Sequence, residues 1–238
     1  MPNDTEVHVW VAFLPDAGLV LPKIEKYLSD FEREKAGRFF HHVDRMRYIM
    51  AHGILRDLLS RYTKADPAGL KFTTNEFGKP ELVSSETQPI LRFNLAHSGD
   101  VVLFAITKRR RVGIDVEKIR PDVDVMELAA SQFAKEEINE LRMLSSGERK
   151  DAFYLCWTRK EAYIKAIGTG LSLALNRFAV TIRSSQSIKL SWSDGDPAVS
   201  RDWAMYDLCL HSEYAAAVVV EAAQPIRVVQ RTWDTRER

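Results

Sequence analysis

The chain has 238 residues and a formal net charge of +1, with 45% hydrophobic and 28% charged residues, the profile of a globular protein long enough for one large domain or two ordinary halves. A charge so close to neutral excludes a global field for nucleic acid, so any anion site must be local, and no apolar run approaches the roughly 18 residues of a membrane span. Cys156 and Cys209 are too few for a disulfide framework, no Cys/His spacing suggests zinc, and the acidic Met1–Glu6 lacks the pattern of a signal peptide, so a reducing cytoplasm is the expected location.

In chain order, Val7 to Leu14 predicts an opening strand ended by Pro15-Asp16-Ala17-Gly18. Met46, Ile49, Met50, Ile54, Leu55, Leu58 and Leu59 recur at helical spacing, predicting a helix from about Asp44 to Tyr62 with Asp44 as N-cap. Strands follow at Leu70–Thr73, Leu91–Leu95 and Val101–Thr107. The last of these is expected to form a hairpin with the strand after Lys108-Arg109-Arg110-Arg111, its charge run being a solvated turn. The second half repeats this order: a helical region over Val125–Leu144, a long helix over Lys150–Ile167 capped by Gly168, then strands at Phe178–Ile182, Ile188–Trp192, Met205–Leu210 and Tyr214–Val220. His97-Ser98 and His211-Ser212 recur about half a chain apart in similar strand–turn–strand surroundings, which hints at internal duplication. The expected architecture is α+β: two similar α+β halves in one chain, residues 1–111 and 112–238, related by a pseudo-twofold axis.

Two places carry chemistry. In Val112-Gly113-Ile114-Asp115-Val116-Glu117-Lys118 the strand period of two puts Asp115 and Glu117 on one face, their Cα atoms about 6.6 Å apart. Like charges this close repel unless a cation, a proton or a lysine lies between them; a strand end with two solvated acids is the alternative. On the long second helix Glu161 and Lys165 are four residues apart and share a face with Trp157. That is either a surface ion pair or a third carboxylate for magnesium, which favours a few carboxylates plus phosphate oxygens and water.

Taken together these stretches resemble the 4′-phosphopantetheinyl transferases, in the longer, pseudo-dimeric, surfactin-synthetase-type branch. The resemblance is carried by Phe77-Gly78-Lys79-Pro80, Phe93-Asn94-Leu95-Ala96-His97-Ser98, the Val112–Glu117 strand, Trp157-Thr158-Arg159-Lys160-Glu161-Ala162-Tyr163-Ile164-Lys165 with Gly168-Thr169-Gly170-Leu171, and a basic region from Arg33-Glu34-Lys35 to Arg47. It implies transfer of the 4′-phosphopantetheine arm of coenzyme A to a serine of an apo carrier protein, acyl or peptidyl, leaving adenosine 3′,5′-bisphosphate. It also implies magnesium, with manganese as the alternative ion, on Asp115, Glu117 and Glu161. Glu161 would be the base and Lys165 would stabilise charge developing on the phosphates. Lys35, Arg47, Lys79, His97, Asp115 and Lys165 would contact coenzyme A. A monomer is expected, with no nucleic-acid or membrane partner and with carrier docking along Lys118–Phe133. The chain departs from the family at Ala96, where a serine is usual, so any ligand contact there would have to come from the backbone or from Ser98. A magnesium nuclease would need a basic track for a polymer backbone, which this charge distribution does not offer.

Overall fold

The computed structural model describes residues 1–14, 21–83, 90–183 and 187–234; the expected Pro15–Gly18 turn lies outside them. The apolar run Glu6–Phe13 forms strand β1, buried along almost its whole length, as befits a strand with neighbours on both edges. Helices α1 (Leu21–Glu25), α2 (Asp30–Gly37) and α3 (His42–Thr63) follow. The sequence reading gave no helix at α2, although Ser29-Asp30-Phe31-Glu32 carries a capping-box signature that closes in the structure: Ser29 N donates to Glu32 Oε2 at 2.8 Å and Glu32 N to Ser29 Oγ at 3.3 Å. α3 starts two residues before the expected Asp44, with His41 as an extended N-cap lacking a side-chain bond. Asp44 falls in the first turn, where its charge suits the helix dipole.

A short hairpin, β2 (Phe72–Thr74) and β3 (Pro80–Leu82), precedes β4 (Leu91–Ser98) and β5 (Val101–Lys108). The second half opens with β6 (Val112–Lys118) and continues through α4 (Val125–Gln132), α5 (Lys135–Arg142), α6 (Ser146–Ile167), β7 (Phe178–Val180), β8 (Leu190–Ser193), β9 (Trp203–Asp207), β10 (Tyr214–Glu221) and β11 (Arg227–Thr232). The helical region expected over 125–144 breaks at Phe133-Ala134, where Glu137 Oε2 accepts the Ala134 N–H at 2.9 Å and starts a new helix. Gly168 closes α6 with φ 77°, as its position after the helix predicts.

The strands form two main sheets, β11-β1-β5-β4 and β6-β10-β9. The order β1-β5-β4 repeats as β6-β10-β9, and each half carries one 22-residue helix, α3 or α6. β11, from the second segment, returns to pair in parallel with β1. α3 packs on the first sheet through Ile54, Leu58, Trp10 and Phe104. α6 covers the second sheet, and the two inner faces meet through Val7, Val9, Leu103, Ile114, Val116 and Val218. This is the expected α+β pseudo-dimer. The expected hairpin between β5 and β6 does not form. Both edges of β5 are taken by β1 and β4, so β6 leaves for the other sheet and pairs with β10. Two of the three arginines of the intervening turn are engaged through their side chains: Arg110 bonds the Asp4 and Glu221 carbonyls, and Arg111 pairs with Glu221 at 2.9 Å and lies over the Trp203 ring. Among the described residues no helix is long and apolar enough to cross a membrane, and Cys156 and Cys209 are free thiols.

Candidate active site

β6 alternates strictly. Val112, Ile114 and Val116 face the other sheet, which turns Gly113, Asp115 and Glu117 towards α6. Gly113 permits the approach: a Cβ there would lie 2.0 Å from the Ala162 carbonyl oxygen and 2.3 Å from Ala166 N. Asp115 is only 3% exposed, its Oδ1 accepts a hydrogen bond from Lys165 Nζ at 2.6 Å, and its Oδ2 is buried with no partner. Burial pushes its carboxyl up to about 7 against the pull of Lys165, and the charges of Glu117 and Glu161 push the same way. Burial also raises Glu161, opposed by Lys165 and reinforced by Glu117. The three acids and Lys165 therefore act on one another across the gap between β6 and α6.

Two neighbours that the sequence reading quoted within the Trp157–Lys165 stretch but gave no role fix the rotation of α6. Arg159 holds both carboxylate oxygens of Asp207, at 2.8 and 2.6 Å, and the Thr181 carbonyl. Lys160 is fully buried and gives its three protons to both oxygens of Glu137, at 2.7 and 2.6 Å, and to the Phe178 carbonyl at 2.7 Å. Buried charges demand partners, so Arg159 and Lys160 lock into the far side of the helix and Glu161 is left towards β6. Arg159-Lys160-Glu161, three charged residues in a row between the apolar Ala152–Trp157 and Ala162–Ile164 stretches of the helix, were the available signal. Trp157 packs against Phe153, with ring centroids 5.8 Å apart, as core.

Along β4 the alternation separates two environments. Leu91 and Phe93 join the α3 core, and His97, on the same face, lines a cavity of about 300 Å³ with Arg47, Tyr48, His52 and Phe39. Arg47 is loosely held, 3.5 Å from Asp100 and 3.7 Å from Asp44, which leaves guanidinium donors facing the cavity. Surrounding protein and then the charges of Lys165, Arg47 and His52 push the His97 imidazole below its ordinary range, so the cavity adjoins the acid cluster at Lys165. Lys35 lies at an adjoining hollow that shares Phe39, its ammonium 5.4 Å from the Tyr48 ring centroid. Lys79 stands apart from this group. Its ammonium is committed to the carbonyls of Val112 (2.9 Å), Ala166 (3.3 Å) and Lys165, and burial lowers it to about 8. Ala96 is buried between the sheets, facing away from the cavity. Ser98 shares that face, and its hydroxyl goes to Glu117.

No group of three or more His, Cys, Asp and Glu side chains among the described residues stands ready-made to hold a metal. The donor chemistry nevertheless suits a hard divalent ion, with three carboxylates in one field and a buried orphan oxygen on Asp115.

Comparison with known proteins identifies the family. Residues 111–219 match the model of the 4′-phosphopantetheinyl transferase superfamily, and residues 21–109 match that of the 4′-phosphopantetheinyl transferase N-terminal region. The chain is 34% identical to the 4′-phosphopantetheinyl transferase HetI of Nostoc sp. over 90% of its own length and 87% of that protein's. It is also 34% identical to the 4′-phosphopantetheinyl transferase Sfp of Bacillus subtilis, over 71% and 72% of the two chains. With matches this long, continuous with the acids of β6 and α6 and with the duplicated architecture around them, the chain belongs to the 4′-phosphopantetheinyl transferase family.

Proposed function

We propose that Asp115, Glu117 and Glu161 hold a divalent cation, magnesium or manganese, on the pyrophosphate of coenzyme A, and that the cleft between β6 and α6 is the reaction centre. As a member of its family the chain moves the 4′-phosphopantetheine arm of coenzyme A to a serine hydroxyl of an apo carrier protein and releases adenosine 3′,5′-bisphosphate. The bound ion would supply charge neutralisation on the phosphate oxygens. The observation that carries the reading is Asp115: a buried carboxylate with one oxygen on Lys165 and the other without a partner.

In the transfer the serine oxygen bonds to the phosphorus that carries the pantetheine, the pyrophosphate bridge breaks, and the nucleotide leaves with the bridging oxygen. Glu161 takes the serine proton, directly or through water; its raised pKa makes it a better base than an exposed carboxylate. Lys165 opposes the charge that develops on the phosphates. Arg47, His97 and Lys35 serve the 3′-phosphate end, supported by the half-exposed guanidinium and the aromatic wall of the cavity beside Lys165. Lys79 serves coenzyme A indirectly, by clamping the end of α6 that carries Lys165 to the start of β6. The carrier docks beside the metal strand at Lys118, Arg120 and Leu128. Arg120 and Leu128 are exposed, while Val125 and Phe133 of the same stretch are core. One chain forms the whole cleft, so the active species is a monomer, working in a reducing cytoplasm. Intact-mass spectrometry of apo carrier incubated with the protein, coenzyme A and magnesium tests the reading. The carrier gains the arm, and a chelator stops the gain; transfer undiminished by chelation overturns the metal assignment.

A further inference from the structure

β4 is the outer strand of the first sheet and β6 the outer strand of the second, and they run side by side without a ladder between them. Side chains join them instead. On its open edge β6 presents the N–H groups of Ile114 and Lys118. Asn94 Oδ1 accepts the first at 2.9 Å, and Ser98 Oγ accepts the second at 3.0 Å. The Ser98 hydroxyl also lies 3.0 Å from Glu117 Oε2. A serine hydroxyl has one proton and two lone pairs. Since the Lys118 N–H occupies a lone pair, the hydroxyl proton goes to the carboxylate.

We propose that Ser98 is a positioning residue for the transfer: it ties down Oε2 of Glu117 so that Oε1 is presented to the divalent cation shared with Asp115 and Glu161. The inference rests on the assignment of those three acids made above. The arrangement parallels Asp115, whose Oδ1 is tied to Lys165 while Oδ2 has no partner. Each of these two strand acids thus has one oxygen committed to a protein donor, and Glu117 Oε1 meets no donor among the described residues. A free glutamate has three side-chain torsions to order on binding an ion; a carboxylate already held by a hydroxyl fixed to its own strand has fewer. With its hydroxyl committed in both roles, Ser98 serves Glu117 and leaves recognition of coenzyme A to the opposite face of β4, where His97 lies.

Mn²⁺ titration of the full-length protein, followed by electron paramagnetic resonance with coenzyme A at saturation, tests this. Affinity for coenzyme A is measured separately in chelator. Ser98→Ala should weaken Mn²⁺ binding about tenfold, the lower end of the range for groups that orient a metal ligand. It should leave metal-free coenzyme A affinity unchanged, and Ser98→Thr should restore Mn²⁺ binding. Ser98→Cys keeps the shape with a weak donor, so it must lose affinity too, and it decides the matter where Ser98→Ala does not fold. Parent-like Mn²⁺ affinity in the alanine or cysteine variant, while Glu117→Gln loses it, overturns the role of Ser98 alone. Parent-like affinity in Glu117→Gln overturns both this inference and the metal assignment beneath it. Loss of coenzyme A affinity in chelator would make Ser98 a ligand contact and also overturn the proposal.

Discussion

Arg47 and His97 line the same cavity, yet their surroundings differ: Arg47 has loose acidic neighbours, whereas His97 is pressed towards its neutral form by burial and, after it, by the cations around it. Charge-assisted hydrogen bonds contribute about 1.5–3 kcal/mol each. Arg47→Ala should therefore weaken coenzyme A binding roughly ten- to a hundredfold, and His97→Ala by less, because a neutral imidazole offers an ordinary hydrogen bond. Dephospho-coenzyme A, which lacks the 3′-phosphate, should bind both variants much as it binds the parent. Calorimetry with the two ligands checks this, and equal losses for both would move these residues to a structural role. Residues of this kind were legible in the sequence only through resemblance, since an exposed arginine or histidine has no periodic signature. The acids were different. A period of two placed Asp115 and Glu117 on one face, and a spacing of four placed Glu161 with Lys165. What spacing could not reveal was the partner of each group. The Lys79 ammonium turned inward to three carbonyls, and the Ser98 hydroxyl found Glu117 and Lys118, 19 and 20 positions further along the chain.

At the scale of elements, β6 is defined by what it packs against. Gly113→Ala drives a methyl group into the α6 backbone, where neither strand nor helix has a flexible side chain to move. Overpacking of this kind costs about 1–3 kcal/mol, and the variant should show both a lower unfolding midpoint and reduced transfer, because the displaced helix carries Glu161 and Lys165. A second element-scale test concerns α2. Burial pushes Glu32 up, but hydrogen bonds from His52, Ser29 and Arg56 outweigh it and hold the carboxyl at about 2 against an ordinary 4.5. A depressed carboxylate stabilises the fold fully above its unfolded value and loses that contribution as pH falls towards its folded value. Up to about 3 kcal/mol should thus disappear between roughly pH 4.5 and 2. Denaturant titrations across that range should show a flatter acid slope for Glu32→Gln than for the parent. Helices with long apolar periodicity were legible. The hairpin assigned to β5 and β6 was not, because adjacency in sequence says nothing about edges that β1 and β4 already fill.

At the scale of the molecule, the two halves share a sheet order but not a site. Counted from the first residues of their helices, Asp57 and Arg61 of α3 occupy the positions of Glu161 and Lys165 of α6. In α3 the pair is turned to structure: Asp57 Oδ2 accepts from Arg61 at 2.6 and 3.0 Å and from the Trp233 indole at 3.0 Å. The matching strand, β1, faces this helix with Trp10 and Ala12 instead of acids, and β11 covers the edge that β6 leaves to Asn94 and Ser98. Trp233→Ala should cost about 3–5 kcal/mol by emptying this buried position, with stability falling while the coenzyme A affinity of the folded fraction is kept. Because β11 closes the β1 edge and the two sheets already pack within one chain, light scattering should give a monomer at every working concentration. An obligate oligomer that loses activity on dilution would contradict this. The repeated strand–turn–strand around His97-Ser98 and His211-Ser212 was a sound hint of duplication. Those pairs nevertheless occupy different places, one at the end of β4 and the other in the loop before β10.

The central claim is that the acids of β6 and α6, with Glu161 as base, perform the transfer. Its most direct test is the single-turnover rate of arm transfer to an apo carrier by Glu161→Gln, read by intact mass with coenzyme A and magnesium saturating. Removing a positioned base costs about 10²–10⁴ in rate, so transfer should fall at least a hundredfold while the protein stays folded and still binds coenzyme A. Transfer at close to the parent rate would contradict the account.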